Sequence, residues 1–149
     1  MDRGLKLLYP NCMASKILLD TNILIDIISA AYDKDEFSLR DEVVCIPIIS
    51  IGELMSGFEL GYFGMNSLEK IIRYPIYNID METAQVFGKI VSENPKFARR
   101  HYNDVWISAI GIRYNLSLCT RNDDDFALCY EDRTNEYYSV AGAEEVSIS

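Results

Sequence analysis

The chain has 149 residues, 49% hydrophobic and 25% charged, with 8 glycines and 4 prolines; this balance fits one globular domain and excludes a disordered, collagen-like or low-complexity protein. With 14 lysines and arginines against 23 acids the formal charge is -9, which excludes a polyanion binder working by bulk electrostatics and confines any nucleic-acid role to a local site. The longest apolar run, Ile46 to Ile51, is interrupted by Pro47 and Ser50 and falls far short of the roughly 20 residues a membrane span needs, so a soluble protein is expected.

Residues 1–15 carry Arg3 and Lys6 but only Leu5, Leu7 and Leu8 as an apolar patch, too short for the core of an export signal. With a second methionine at Met13, they are expected to be an N-terminal extension to a domain spanning 16–149. Ile17-Leu18-Leu19 reads as a short buried strand ending at Asp20, and Ile23 to Ile28 as a helix capped by Thr21 or Asn22. Val43 to Ile46 is a second strand closed by Pro47, after which Ser50 opens a helix through Leu54, Phe58 and Tyr62. Gly57, Gly61 and Gly64 weaken the stretch that follows, to Arg73, as one rigid rod. Tyr74 to Ile79 is a third strand, and Asp80 caps a helix carrying Ala84, Phe87, Ile90 and Val91. Asp104 leads a helix through Trp106, Ile107, Ile110 and Tyr114; Leu116 to Cys119 and Tyr137 to Val140 are the fourth and fifth strands.

Strands apolar on both faces and separated by helices require a sheet covered on both sides. The expected fold is therefore α/β: a doubly wound, mostly parallel sheet of about five strands with helices on both faces. Its ligand site belongs outside the carboxyl ends of the strands, where strand order reverses. Cys12, Cys45, Cys119 and Cys129 have no C-x-x-C spacing and read as small buried hydrophobes in a reducing, cytoplasmic compartment. His101 is the only histidine, so no zinc site can be built.

Acids recur at the predicted carboxyl edge: Asp20, Glu53, Asp104 and the run Asp123-Asp124-Asp125. Such an oxygen-only set suits Mg2+ or Mn2+. Taken singly, most have a structural explanation. Ser50-Ile51-Gly52-Glu53 matches a capping box, Asp104 suits a helix first turn with Asn103 beside it, and three aspartates make a solvated turn. Asp20 is harder to dismiss, because a carboxylate ending an apolar strand is costly unless it faces solvent, a cap or a cation.

The blocks Leu18 to Asp26, Ser50 to Leu54, Asp104 to Ala109 and Thr120 to Phe126, in this order, resemble the PIN-domain family, most of all the ribonuclease toxins of the VapBC toxin–antitoxin type. The resemblance implies metal-dependent RNA cleavage, with Asp20, Glu53 and Asp104 matching the family's acidic cluster and Asn122 and Asp125 its looser fourth block. It makes Asp20, Glu53, Asp104 and Asp125 the expected catalytic acids and Mg2+ or Mn2+ ligands. Asn22, Thr120 and Asn122 are expected in supporting or phosphate-contacting roles. The expected partners are an RNA substrate and a cognate antitoxin, and the expected assembly is a homodimer. Lys96, Arg99, Arg100 and Arg113 offer a basic ridge leading to Asp104, a candidate RNA contact on an otherwise acidic chain. Two rival readings remain open: a PIN-like module that has lost turnover and docks a protein, and a different metal-dependent phosphohydrolase.

Overall fold

The computed structural model describes residues 16–28, 44–120, 126, 129 and 137–139. In chain order the elements are β1 (Ile17–Leu19), α1 (Thr21–Ile28), β2 (Val44–Pro47), α2 (Ile48–Glu59), α3 (Met65–Ile72), β3 (Ile76–Tyr77), α4 (Met81–Glu93), α5 (Pro95–Arg100), α6 (Tyr102–Arg113), β4 (Ser117–Thr120) and β5 (Tyr137–Ser139). The five strands form one sheet in the order β3-β2-β1-β4-β5, and every pairing is parallel. Strand order reverses between β1 and β4, so the switch point lies at their carboxyl ends.

Alternation along the strands divides the core in two. Ile17, Leu19, Val44, Ile46 and Cys119 pack with α1, α2 and α3 through Ile23, Leu24, Leu54, Leu68 and Ile71. Leu18, Cys45 and Leu118 face the opposite way, onto Ile90 of α4, Ala98 of α5 and Val105, Ala109 and Ile110 of α6. Both sheet faces are thus buried, which is why the strands read as continuous apolar runs instead of alternating ones. Among the described residues no helix is long and apolar enough to cross a membrane.

Several boundaries differ from the sequence expectation, each for a local reason. α2 stops at Glu59 instead of running through Tyr62, because Gly61 adopts φ +82° and turns the chain. The third strand shrinks to Ile76–Tyr77, an edge strand on β2. Between α4 and α6 a separate helix, α5, begins with Pro95 in its first turn, where the missing N–H costs nothing.

Candidate active site

The pairing of Leu19 with Cys119 brings Asp20 beside Thr120 at the switch point, and the Asp20 N–H donates to the Cys119 carbonyl at 3.0 Å. Asp20 is only 3% exposed, a burial that a carboxylate tolerates only with compensation. Its Oδ1 accepts from the Thr21 N–H at 2.7 Å and its Oδ2 from the Thr120 hydroxyl at 2.8 Å. Its own carbonyl accepts from the N–H groups of Ile23 and Leu24. Asp20 therefore stands where a helix cap stands, and the expected caps, Thr21 and Asn22, fall inside α1. The Cys119 thiol beside it is pushed up to about 12 by burial and, secondarily, by the Asp20 charge. Cys45 is also raised to about 12 by burial, so both behave as the apolar groups expected.

The capping box does not form. α2 begins at Ile48 with Pro47 in the cap position, so Ser50 is already inside the helix and is not the cap residue that a capping box requires. The two side chains turn toward α1 instead. Ser50 Oγ lies 2.7 Å from Thr21 Oγ1, and the Thr21 hydroxyl donates to Glu53 Oε1 at 2.6 Å. A hydroxyl carries one hydrogen, so with Thr21 donating to Glu53, Ser50 must donate to Thr21. The result is a directed chain from Ser50 through Thr21 to Glu53. Glu53 Oε2 accepts from Asn103 Nδ2 at 3.2 Å, joining α2 to α6.

Asp104 is the third residue of α6 and His101 holds the cap position, so Asp104 is not the cap, though the helix dipole favours a carboxylate there. His101 Nδ1 lies 3.6 Å from Asp104 Oδ2, an ion pair when the imidazole is protonated. Asp20, Asn22, Glu53, Asn103 and Asp104 line one open cleft of about 940 Å³, walled on the apolar side by Ile25, Leu60, Tyr62 and Phe63. Thr120 sits behind Asp20, fully buried.

The cleft gathers three of the four expected acids but does not close them on one point. Among the described residues no group of three His, Cys, Asp or Glu side chains stands close enough to hold a metal together. The hydrogen bonds supply a reason: Glu53 is drawn to Thr21 and Asn103, and Asp104 lies beside His101. In chemistry the donors fit a hard divalent cation, since they are carboxylates with amide oxygens nearby and the described cysteines are buried and do not line the cleft. Asn122 and Asp125, like the whole run Asp123 to Asp125, lie outside the described residues.

The expected basic ridge divides. Lys96, Arg99 and Arg100 share a notch of about 670 Å³ with Phe97 and His101. Arg113 does not extend it, because its guanidinium is committed at the far end of α6. Its Nη2 donates to Asp80 Oδ2 at 2.8 Å and lies 3.3 Å from Glu82 Oε1, and the group covers the Tyr114 ring at 4.6 Å. Arg113, then the Thr83 hydroxyl and N–H, hold the Asp80 carboxyl well below the usual carboxylate range. This cluster fastens α4 to α6.

Sequence reasoning does not assign Thr21 and Asn103 to the cleft, nor Ser50 and His101 to the contacts beside it. Thr21 is signalled by its place in the Asp-Thr-Asn opening, and Ser50 by its spacing from Glu53 once that spacing is released from a capping role.

Known proteins share this arrangement of elements. The family model described as "PIN domain" matches residues 17–131. The DNA-bound VapBC of Salmonella typhimurium contains a chain 23% identical to this one, with a TM-score of 0.66, covering 85% of this chain and 98% of that one. VapBC-5 of Mycobacterium tuberculosis, from the VapBC family of toxin–antitoxin systems, gives 22% identity and a TM-score of 0.62, covering 84% and 98%. A toxin–antitoxin complex from Klebsiella pneumoniae gives 26% identity and a TM-score of 0.60, covering 75% and 91%. No curated protein matches the chain.

Proposed function

Because the chain belongs to the PIN-domain family, we propose that it is a divalent-metal-dependent endoribonuclease of the toxin type and that Asp20, Glu53 and Asp104 are its catalytic acids, with Asp125 the fourth. The observation that carries this reading is the gathering of three acids from three separate elements into one open cleft at the switch point. Asp20 and Asp104 are the proposed direct holders of Mg2+ or Mn2+. Such an ion, when bound, neutralises the scissile phosphate and lowers the pKa of water.

The chain's own groups have separable tasks. The Thr120 hydroxyl and the Thr21 N–H fix the Asp20 carboxylate from two sides, so its orientation needs no ordering when substrate arrives. Thr21 and Asn103 aim Glu53, the group proposed to orient the attacking water. Asn22, exposed at the cleft edge, and Asn122 are proposed to contact phosphate. The resemblance to the family implies products with a 5'-phosphate and a 3'-hydroxyl.

The similar structures from Salmonella, Klebsiella and Mycobacterium are of VapBC or toxin–antitoxin systems, which supports a cognate antitoxin as partner. A basic antitoxin side chain is proposed to enter the cleft, where a guanidinium can engage carboxylates bidentately. One observation favours a second reading, a protein-docking module without turnover: among the described residues the acids are held apart beside an apolar wall that includes the exposed Leu60 and Tyr62.

Incubation of the purified chain with total RNA, transfer RNA and ribosomal RNA separates the two. The ribonuclease reading expects cuts at few positions with Mn2+, none with chelator, and rates lowered by orders of magnitude in Asp20→Asn and Asp104→Asn. Cleavage that survives both substitutions points to a contaminating nuclease and overturns the assignment. No cleavage of any RNA favours the docking module.

A further inference from the structure

The notch on α5 has a composition that the fold does not require. Lys96, Arg99 and Arg100 stand at i, i+3 and i+4, hence on one face of a single short helix, while Ala98 on the other face is buried in the core. Like charges at this spacing oppose helix formation, and residues 95–103 contain no acid to offset them. Among the described residues none of the three pairs with a carboxylate, whereas Arg113 on the next helix has two. On a chain of net charge -9, three clustered cations facing an open notch mark a place for an external anion.

The remaining wall is aromatic. The His101 ring lies on Phe97 at 4.4 Å between centroids and 14° between planes, with Phe97 packed on the core and the His101 side chain 35% exposed. A flat ring backed by a second ring and open to solvent is a stacking platform. His101 also touches Asp104 at 3.6 Å, so the notch and the acidic cleft share a border.

We propose that the α5 notch is a subsite for one unpaired nucleotide of an RNA strand, its phosphate held by Lys96, Arg99 and Arg100 and its base laid on the His101 ring, so that the strand runs on into the acidic cleft. Guanidinium groups match phosphate oxygens, and stacking on an aromatic ring accepts any base but only one that is not paired within a duplex. The subsite therefore selects single-stranded over double-stranded RNA without reading sequence. An acidic protein segment would use the cations but has no need of the ring. The inference rests on the ribonuclease reading of the cleft.

The test measures binding in chelator, where no cleavage occurs, using the full chain and a fluorescently labelled RNA oligonucleotide, single-stranded or annealed to its complement, over a range of salt. The wild type should bind the single strand more tightly than the duplex. Arg99→Gln with Arg100→Gln should weaken single-strand binding and make the logarithmic salt slope shallower by about 0.7 for each phosphate no longer neutralised. His101→Ala should weaken single-strand binding about tenfold and leave the duplex unaffected, and His101→Phe should restore it. Both arginines are exposed, so these variants should fold, and thermal denaturation checks that they do. An unchanged salt slope, equal wild-type affinity for duplex, or failure of His101→Phe to rescue overturns the proposal. So does a double-arginine variant that keeps its RNA affinity but loses affinity for polyglutamate. Wild-type protein that binds as expected yet cuts nothing with Mn2+ would sink the ribonuclease reading and leave the notch standing as a binding site.

Discussion

Thr21→Val tests the directed chain from Ser50 to Glu53. Valine keeps the shape and branching of threonine and leaves the backbone N–H that serves Asp20 Oδ1 in place. It removes the acceptor for Ser50, which is fully buried, and one of the donors to Glu53, which lies at the solvent edge and can recruit water. The stability cost therefore falls on Ser50: a buried hydroxyl left without its partner costs about 1–3 kcal/mol. For a chain of this length that lowers the melting temperature by roughly 3–10 °C. Ser50→Ala should cost less, since Thr21 still donates to Glu53. The double variant Thr21→Val/Ser50→Ala leaves no unpaired hydroxyl and should be no less stable than Thr21→Val alone, a coupling of about 1 kcal/mol. Thermal and urea denaturation of the four proteins measures this directly. Additive losses, or a Thr21→Val protein as stable as the wild type, would show that Ser50 is satisfied by its own helix carbonyls, and the directed chain would be refuted.

The Asp80 carboxyl, held low by Arg113 and Thr83, contributes stability above the ordinary aspartate range that is lost as pH falls through its folded value; Asp80→Asn should flatten the acid limb of melting temperature against pH between 2 and 5 (about the range in which aspartates titrate), and an unchanged limb would contradict the pairing. Cys45, Cys119 and Cys129 are buried, and the first two are pushed up to about 12. Peptide mapping after iodoacetamide should find all three unmodified in the native protein and modified in urea, whereas native labelling would contradict their packing. Gly61, at φ +82°, should cost about 1–2 kcal/mol when replaced by alanine, seen as a lower urea midpoint; a neutral result would mean that the turn beside Leu60 and Tyr62 rearranges freely.

The sheet is legible in the sequence because its strands are buried on both faces. Ile17-Leu18-Leu19 and Leu118-Cys119 are continuous apolar runs, and that pattern with intervening helices leaves few arrangements. Asp20 is legible for the same reason, as a charge placed where an apolar strand ends. The role of Ser50 is not, since S-x-x-E fits a capping box as well as a tertiary contact, and only the placement of Pro47 at the cap of α2 decides between them. Arg113 is misleading because its sequence neighbours suggest a ridge, whereas about 13 Å of helix separates it from Asp104 and Asp80 claims it from a distant part of the chain. Spacing along the chain reports which face a residue occupies. It does not report which partner reaches that face first.

The central claim, that Asp20, Glu53 and Asp104 act together on a divalent ion, is tested most directly by calorimetric titration of Mn2+ into the metal-free protein and into Asp20→Asn and Asp104→Asn. Saturable binding to the wild type is expected, accompanied by a rise in melting temperature, with loss of both effects in each variant whose fold is intact. Absence of binding to the wild type, or binding unchanged by either substitution, would contradict it.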